Sequence, residues 1–175
     1  MFNSNYTTGH YVPTHQEKCI NFTGTSNYFK NIVVKKKEIT FRSSWEWKVC
    51  NFCDRYANVL EWGSEVLTIP YMNESDGCKH EYITDFLIVV KTKKGTVEKW
   101  VCEVKPDCQA EHFDELGRLV LPPAPKKKTQ KTIANWQQRC DVVRKNHSKW
   151  TYARQWCRDN GYKFKVLTET AIGVK

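Results

Sequence analysis

Three charged residues, Asp85, Glu103 and Lys105, stand in stretches of the sequence that are otherwise apolar and typical of β-strands. A carboxylate with apolar neighbours such as Phe86 and Leu87 is costly to bury unless a nearby charge compensates it. Side chains alternate along a strand, so Glu103 and Lys105 should share one face. If Asp85 also faces that way, the two carboxylates could together bind a divalent metal ion.

The turn between the two strands decides whether Asp85 faces Glu103. A three-residue loop over 93–95, ending in a left-handed glycine, would pair Thr92 with Thr96 and place Asp85 directly opposite Glu103. Opposed side chains have Cβ atoms ~4.5–5.5 Å apart, and two carboxylates at that distance repel unless a cation lies between them. Oxygen ligands of this kind suit Mg²⁺ or Mn²⁺. A two-residue turn would instead put the two carboxylates on opposite faces.

The same residues also have a purely structural interpretation. Glu103 and Lys105 could be solvated residues at the edge of a sheet, with Asp85 a core carboxylate paired to Lys105. Ion-pair networks collect such residues as readily as active sites do. The pattern alone leaves both interpretations open.

Hydrophobic periodicity predicts the elements that would position these side chains. Apolar residues at helical spacing predict a helix over 44–57, with Ser43 and Glu46 forming a capping box at its start. Runs of β-branched and aromatic residues predict strands over 66–71, 82–90, 98–105 and 162–168, the first of them stopped at Pro70. Helices are predicted over 129–146 and 148–160.

This order of elements predicts a mixed α/β domain with a helix packed on each side of a central sheet. Residues 1–40 contain glycine, proline and polar runs, and we expect an extended N-terminal arm there, lying on a partner or on its own domain. The domain proper would cover 41–175. Within it, the polar and proline-rich stretch 107–128 is predicted to be a surface loop.

The composition indicates a folded, basic protein, with 40% hydrophobic residues and a formal net charge of +9. Such a charge favours a polyanionic partner. No stretch approaches the ~20 apolar residues of a membrane span, and the N-terminus lacks the layout of a signal peptide. We therefore expect a reducing cytoplasm and reduced cysteines, with Cys50 and Cys53 packing in a helix rather than binding zinc. Four tryptophans at helix or strand positions are expected in the core: Trp45, Trp100, Trp136 and Trp156.

An aspartate, a hairpin and then Glu-x-Lys resemble the core of the PD-(D/E)XK nuclease superfamily. The surrounding segments occur in one order: Phe41-Arg-Ser-Ser-Trp-Glu46, Glu61-Trp-Gly-Ser-Glu65, Ile69-Pro-Tyr71, His80-x-Tyr82-x-x-Asp85-Phe86, Glu103-Val-Lys105-Pro106 and Gly161-Tyr-Lys-Phe-Lys-Val-Leu-Thr-Glu169. Over 41–169 they resemble the head completion proteins of T-even-like tailed phages, a small nuclease-fold family. The endonuclease subunits of heteromeric transposases are similar at a greater distance.

The resemblance implies a restriction-endonuclease-like core and a role for each site residue. Asp85 and Glu103 would hold one or two Mg²⁺ or Mn²⁺ ions, with the Val104 carbonyl as a further ligand. Lys105 would orient or polarise the attacking water. Glu46 would be the helix carboxylate that completes the metal shell, although its place in the capping box explains it equally well. Glu65 matches a family position without a role that can be derived.

Two functions from different classes follow from the resemblance. One is a metal-dependent endonuclease that hydrolyses double-stranded DNA at the end of genome packaging. The other is a structural head-completion or neck component that contacts portal or neck proteins; a transposase-type or restriction-like endonuclease is a third. The site of action would be the host cytoplasm during assembly, with retention in the virion left open. Neither a membrane nor a small-molecule substrate is expected.

Eight basic residues are candidates for contact with DNA phosphates: Lys35, Lys36, Lys37, Lys126, Lys127, Lys128, Arg144 and Lys145.

Overall fold

The computed structural model describes residues 8–34, 37–73, 76–116 and 118–170. Within these ranges the chain forms strands and α-helices together with two single turns of 3-10 helix, at Gln16–Lys18 and Asp107–Gln109. The strands and helices are β1 (Gly9–Tyr11), α1 (Ile20–Thr23), β2 (Ile39–Phe41), α2 (Ser44–Arg55), β3 (Val59–Ser64), β4 (Thr68–Asn73), β5 (Cys78–Ile83), β6 (Phe86–Lys91), β7 (Val97–Val104), α3 (Gln130–Asp159) and β8 (Lys163–Leu167).

The centre of the fold is a four-stranded mixed sheet in the order β3-β6-β7-β8. β6 runs antiparallel to both β3 and β7, whereas β8 runs parallel to β7. A parallel neighbour needs a long crossover connection, and it is supplied by α3 together with residues 107–128, called the insertion below. The mixed α/β architecture predicted from the sequence is confirmed.

Each face of the central sheet is covered by one long helix. Phe86, Ile88 and Val90 of β6 face α2, in a core shared with Cys50 and Cys53. The intervening residues of the same strand face the other way and pack with α3, in a core that includes Trp150. A strand buried on both faces reads as a continuous apolar run, which explains the uninterrupted sequence of β6. The predicted placement of one helix on each side is confirmed.

The predicted strand over 82–90 is two strands in the structure. β5 pairs with β4 in a separate hairpin, and β6 belongs to the central sheet. The chain passes from one to the other at residues 84 and 85, where the Thr84 N–H donates to the Leu67 carbonyl at 3.0 Å.

Pro70, expected to stop the preceding strand, instead lies inside β4, opposite Glu81. A two-stranded ribbon leaves every second N–H pointing away from its partner, so a proline is tolerated there.

The edge strand β3 was not predicted, because polar residues interrupt its apolar pattern. Glu61 and Ser64 are both buried. The Ser64 N–H donates to Asn21 Oδ1, and the Ser64 carbonyl accepts from Asn21 Nδ2, each at 2.8 Å. The Glu61 carboxylate accepts from the Ser26 hydroxyl and from the Asn27 N–H. Partners from the N-terminal segment therefore satisfy these polar groups, and no local pattern reveals that.

The described part of the N-terminal segment lies on the domain that follows it. β1 pairs antiparallel with β2, and Cys19 and Ile20 are fully buried. The Asp54 carboxylate on α2 accepts the N–H groups of Thr14 and His15 at 2.9 and 2.8 Å. This segment therefore contributes more to the core than expected for an arm. The division into an arm over 1–40 and a domain over 41–175 remains a prediction.

α3 is one uninterrupted helix of 30 residues, where two helices separated at residue 147 were predicted. Polar residues near its middle suggested a break, but they bond outside the helix. The Asn146 side chain donates to the Gln109 carbonyl at 3.1 Å, and the Ser148 hydroxyl donates to the Met72 carbonyl at 3.0 Å. These bonds attach α3 to the insertion and to β4. None of the helices in the described ranges is long and apolar enough to cross a membrane.

The insertion over 107–128 carries little regular structure in its described residues, as predicted. It is held to α3 by the Trp136 indole N–H, which donates to the Pro122 carbonyl at 2.8 Å. Trp136 and the other tryptophans predicted to be core, Trp45, Trp100 and Trp156, are only half-buried. Trp45, Trp100 and Trp156 nevertheless pack against the two cores, as predicted, whereas within the described ranges Trp136 does not. The fully buried tryptophans are Trp62 and Trp150, which face the two sides of the sheet.

Candidate active site

The register of the β6–β7 hairpin places Asp85 opposite Glu103. Lys91 pairs with Val97 and Phe86 with Cys102, so the next position outward from Phe86 joins 85 to 103. The loop is the predicted three-residue kind, because the Thr92 N–H donates to the Thr96 carbonyl at 2.8 Å and Gly95 has φ 81°. One detail differs from the prediction: Asp85 lies just before β6 rather than inside a strand.

Asp85 is fixed in this place by hydrogen bonds on both sides. Its Oδ2 accepts the Val104 N–H at 2.7 Å, so the side chain continues the hairpin where the backbone pairing of β6 ends. Its carbonyl accepts the Glu65 N–H at 3.1 Å. Asp85 is therefore held between β7 and the connection from β3 to β4.

Glu103 is the most buried of the candidate acidic residues, with only 1% of its surface exposed. Its Oε2 accepts the Tyr82 hydroxyl proton at 2.6 Å. Its Oε1 faces two ammonium groups, that of Lys105 at 3.1 Å and that of Lys149 at 3.5 Å. Both oxygens thus have compensating partners, as a buried carboxylate requires.

Lys105 follows the last residue of β7, and its backbone N–H donates to the Leu167 carbonyl of β8 at 3.1 Å. This bond continues the parallel pairing one residue beyond the strand. The alternation of β7 then directs Lys105 to the same face as Glu103, as predicted. The structural pairing considered from sequence differs in one respect: the Lys105 ammonium contacts Glu103 rather than Asp85.

Glu46 occupies the capping position that the sequence predicted, and its part in a metal shell stays a prediction. It lies in the first turn of α2, where its carboxylate accepts the Arg42 N–H at 2.8 Å and the Ser43 hydroxyl proton at 3.1 Å. The Ser43 hydroxyl in turn accepts the Glu46 N–H, which completes the predicted N-cap. Burial and then Glu103 are the main causes that raise the pKa of Asp85, and the negative charge of Glu46 adds a smaller increase.

Glu65 lies beside the site in an unusual backbone conformation. Its φ is 54°, in the left-handed region that non-glycine residues rarely adopt. Its N–H donates to the Asp85 carbonyl, and its carboxylate forms an ion pair with the Arg42 guanidinium. Unusual backbone conformations persist where surrounding contacts hold them. For Glu65 these contacts are the hydrogen bond to Asp85 and the ion pair with Arg42, just before α2.

The electrostatics of the site follow from its burial and its crowded charges. Burial, and then the Glu103 charge, raise the pKa of Asp85 to about 7, against the opposing effects of Lys105 and the Val104 N–H. Burial, and then Glu103, hold the pKa of Tyr82 well above its ordinary value. Burial alone would lower the pKa of Lys105, but Glu103 and Asp85 together raise it. The carboxylates therefore repel each other where no cation intervenes.

The donor set suits a hard divalent cation held by few protein ligands. In the described ranges no group of three or more His, Cys, Asp or Glu residues is arranged to hold a metal ion by itself. Asp85 and Glu103 offer carboxylate oxygens on one side of the hairpin, and the Val104 carbonyl adjoins them in sequence. Mg²⁺ is commonly bound through one or two carboxylates, keeping several waters and accepting substrate phosphates as ligands. The types of ligand present are those that such an ion takes, whereas a closed zinc site would need four ligands.

Tyr82 and Lys149 were not predicted as site residues, although each contacts Glu103. Tyr82 was placed in one strand with Asp85, which concealed that it reaches the site from a different hairpin. One feature of the sequence could have identified Lys149 as a site residue. It lies among buried positions of α3 such as Asn146, Trp150 and Ala153, and a lysine within a buried stripe needs an acidic partner.

Six of the eight basic residues predicted to contact DNA are among the described residues, and all six are exposed. Lys35 and Lys36 lie outside the described residues. Arg144 is ion-paired with Asp141 at 3.1 Å. The remaining candidates are exposed: Lys37, Lys126, Lys127, Lys128 and Lys145.

Comparisons with known proteins agree with this architecture. The family model "TnsA-like endonuclease N terminal" matches residues 56–169, a range that includes the central sheet, α3, Asp85, Glu103 and Lys105. The "Head completion nuclease" of Enterobacteria phage T4 is 30% identical over 136 residues, which cover 78% of this chain and 82% of that relative. The fold is thus the restriction-endonuclease-like one that the PD-(D/E)XK resemblance implied. With its mixed sheet, its flanking helices and more than half of its length matched, the chain belongs to the family of TnsA-like endonuclease N-terminal domains.

Proposed function

We propose that this protein is a metal-dependent endodeoxyribonuclease that hydrolyses phosphodiester bonds of double-stranded DNA at the completion of a phage head. The family supports an endonuclease, and the phage relative carries both head completion and nuclease in its name. The observation that carries the proposal is the placing of Asp85 opposite Glu103, with the Lys105 ammonium 3.1 Å from Glu103.

Each residue of this group has a distinct task in the proposed reaction. Asp85 and Glu103, with the Val104 carbonyl, would hold Mg²⁺ or Mn²⁺, and Glu46 would add negative charge from α2. The ion, when bound, would supply Lewis acidity that lowers the pKa of water and offsets charge on the phosphate. Lys105 holds a positive charge at the same face, where it can orient the attacking water and stabilise the charge that builds on the phosphate oxygens.

Contact with the DNA backbone would rest on the positive surface of the protein. Lys126, Lys127 and Lys128 are consecutive and exposed just before α3, and Lys145 is exposed along it. Each phosphate neutralised by such a group releases counterions, so binding should weaken as salt increases. Nothing in the described residues resembles a helix that reads base edges, and we infer little sequence specificity.

A cleavage assay tests the proposal directly. Linear and supercoiled double-stranded DNA would be incubated with Mg²⁺ or Mn²⁺ and either the wild type or Asp85→Asn. Asparagine retains an oxygen that can accept the Val104 N–H but lacks the negative charge. The matched control is Asp141→Asn, which removes an exposed carboxylate paired to Arg144. We expect metal-dependent cutting by the wild type and the control, and its loss in Asp85→Asn; full activity of Asp85→Asn would refute the assigned site.

A second candidate function is a structural part of the head–tail neck that binds portal or neck proteins. It is favoured by an apolar cleft of about 590 Å³ between the insertion and α3, lined by residues that include Val120, Pro122 and Val142. Val120 and Val142 are exposed, as are Phe113 and Leu116 nearby in the insertion. Exposed apolar surface of this kind is typical of a protein interface. An assembly assay with Asp85→Asn separates the two, since normal particles from a variant unable to cleave would favour the structural function.

A further inference from the structure

Lys149 brings a second ammonium group to the candidate active site from α3. Its side chain is 16% exposed, and its Nζ lies 3.5 Å from Glu103 Oε1. The same Nζ lies 4.8 Å from the centroid of the Tyr82 ring. Burying an ammonium group is costly unless a carboxylate or an aromatic face compensates it, and here both do. The Lys149 side chain is therefore held by Glu103 and Tyr82 of the candidate site, and not by contacts along the surface of α3.

Two ammonium groups at one carboxylate oxygen are more than charge compensation of Glu103 requires. Lys105 and Lys149 both face Glu103 Oε1, and their like charges repel each other. One lysine can therefore leave Glu103 without exposing an uncompensated buried carboxylate.

The surroundings of the two lysines indicate which one can move. Lys149 is covered by the Tyr82 ring and extends from the middle of a 30-residue helix. The side chain of Lys105 is 27% exposed, against 16% for Lys149, and it lies just beyond the end of β7. Lys105 is the one nearer to solvent, where a DNA phosphate would arrive.

We propose that Lys149 is a positioning residue, which holds the Glu103 carboxylate from the α3 side so that the Lys105 ammonium can turn to the DNA phosphate. This rests on the proposed nuclease function. Tyr82 shares the task, because its hydroxyl holds the other oxygen of Glu103 at 2.6 Å. Lys149 acts through Glu103 and Lys105 and does not itself touch the substrate.

The test compares Lys149→Met and Lys149→Arg with the wild type. Methionine keeps an unbranched side chain against the Tyr82 ring but removes the charge, whereas arginine retains it. The matched control is Lys131→Met, at an exposed position of the same helix. Cleavage of double-stranded DNA gives kcat and KM, and calorimetric titration of each DNA-free protein with Mn²⁺ gives a readout that does not depend on activity.

For Lys149→Met we expect kcat to fall about 10- to 100-fold with KM for DNA nearly unchanged, because Lys105 stays bound to Glu103. Mn²⁺ should bind at least as tightly as to the wild type, since one repelling charge is gone. Lys149→Arg should recover much of the kcat. If Lys149→Met does not fold, Lys149→Gln takes its place: it removes the charge but keeps a donor to Glu103, so a smaller fall in kcat is expected.

Two results would overturn the inference. An unchanged kcat would show that Lys105 does not depend on Lys149. A fall in kcat with an equal loss of Mn²⁺ affinity would show that Lys149 only keeps Glu103 in place for the fold. A wild type without metal-dependent cleavage would contradict the proposed function itself and this inference with it, whereas an active wild type with an unaffected Lys149→Met contradicts this inference alone.

Discussion

The carboxylate of Asp85 accepts the backbone N–H of Val104 at 2.7 Å, directly beside its opposed partner Glu103. A side chain thus replaces a backbone acceptor where β6 begins, and it fixes one carboxylate relative to the other. Because the bond needs only an oxygen, a neutral side chain of the same shape can preserve it. Asp85→Asn should therefore separate the charge of this group from its place in the fold.

Stability in the absence of metal should depend on pH through Asp85. Its pKa is raised from 3.8 to about 7 in the folded protein, mainly by burial, so the folded state binds the proton more tightly than the unfolded state does. The contribution of Asp85 to the free energy of unfolding therefore falls as pH rises from about 4 to 7. Asp85→Asn should stabilise the protein by about 1–2 kcal/mol at pH 8 and change little at pH 4, as measured by urea unfolding in EDTA. A variant less stable than the wild type at pH 8 would contradict this.

Metal binding should have the opposite dependence on pH. The ion requires Asp85 in its ionised form, so Mn²⁺ affinity should increase as pH rises toward about 7 and level off above the pKa of about 7. Titration calorimetry of the wild type at several pH values measures this directly. Asp141→Asn should follow the wild-type curve, since Asp141 is an exposed partner of Arg144. A flat affinity across this range would show that Asp85 does not control the metal site.

The opposed carboxylates were predictable from sequence because one glycine determines the loop and the loop determines the register. Gly95 adopts the left-handed conformation that a three-residue hairpin loop needs, and the pairing of 85 with 103 follows by counting. The alternation of β7 then orients Glu103 and Lys105 without further information. Local chemistry along one hairpin was sufficient for this part of the site.

The contacts made to that hairpin by the rest of the chain were not predictable in the same way. The run of apolar and β-branched residues from 82 to 90 conceals the switch between two sheets at Thr84, because the residue types are similar on both sides although β5 is mostly exposed and β6 is buried. β3 is held by Asn21, 43 residues away in sequence, and Lys149 reaches Glu103 across 46 residues. Tertiary partners decide these features, and neither propensity nor periodicity contains them.

The two roles of Glu46 can be separated by a pair of variants at the start of α2. Glu46→Gln keeps an oxygen that can accept the Arg42 N–H, and its NH2 group can donate to the Ser43 hydroxyl in place of the bond that Ser43 donates, but it removes the charge. If Glu46 completes the metal shell, cleavage should fall at least about 10-fold while the melting temperature changes little. Ser43→Ala should do the reverse, costing about 1 kcal/mol of stability with nearly full activity per folded molecule. Equal activity of Glu46→Gln and the wild type would leave Glu46 with the capping role alone.

The left-handed backbone of Glu65 predicts a difference between two small substitutions. Glu65→Gly and Glu65→Ala both remove the exposed ion pair with Arg42, and both keep the N–H that donates to the Asp85 carbonyl. Only glycine adopts φ 54° without steric cost, so it should be more stable than alanine by about 1 kcal/mol. Chemical denaturation of the two variants measures this difference directly. Equal stabilities would mean that the chain relaxes from this conformation when the glutamate side chain is removed.

Glu111 connects the insertion to α3 and should matter for stability but not for chemistry. Its side chain is only 3% exposed; it is ion-paired with the Arg154 guanidinium and lies 2.7 Å from the His147 Nδ1 atom. Glu111→Gln leaves Arg154 without its counter-charge in a partly buried place, and we expect a loss of about 1–3 kcal/mol in urea unfolding. Asp141→Asn, which breaks the exposed pair with Arg144, should cost less than about 1 kcal/mol and serves as the control. Cleavage per folded molecule should be retained in Glu111→Gln, because none of its contacts involves Asp85, Glu103 or Lys105. If cleavage were lost at full stability, the insertion would have to act on the catalytic group itself.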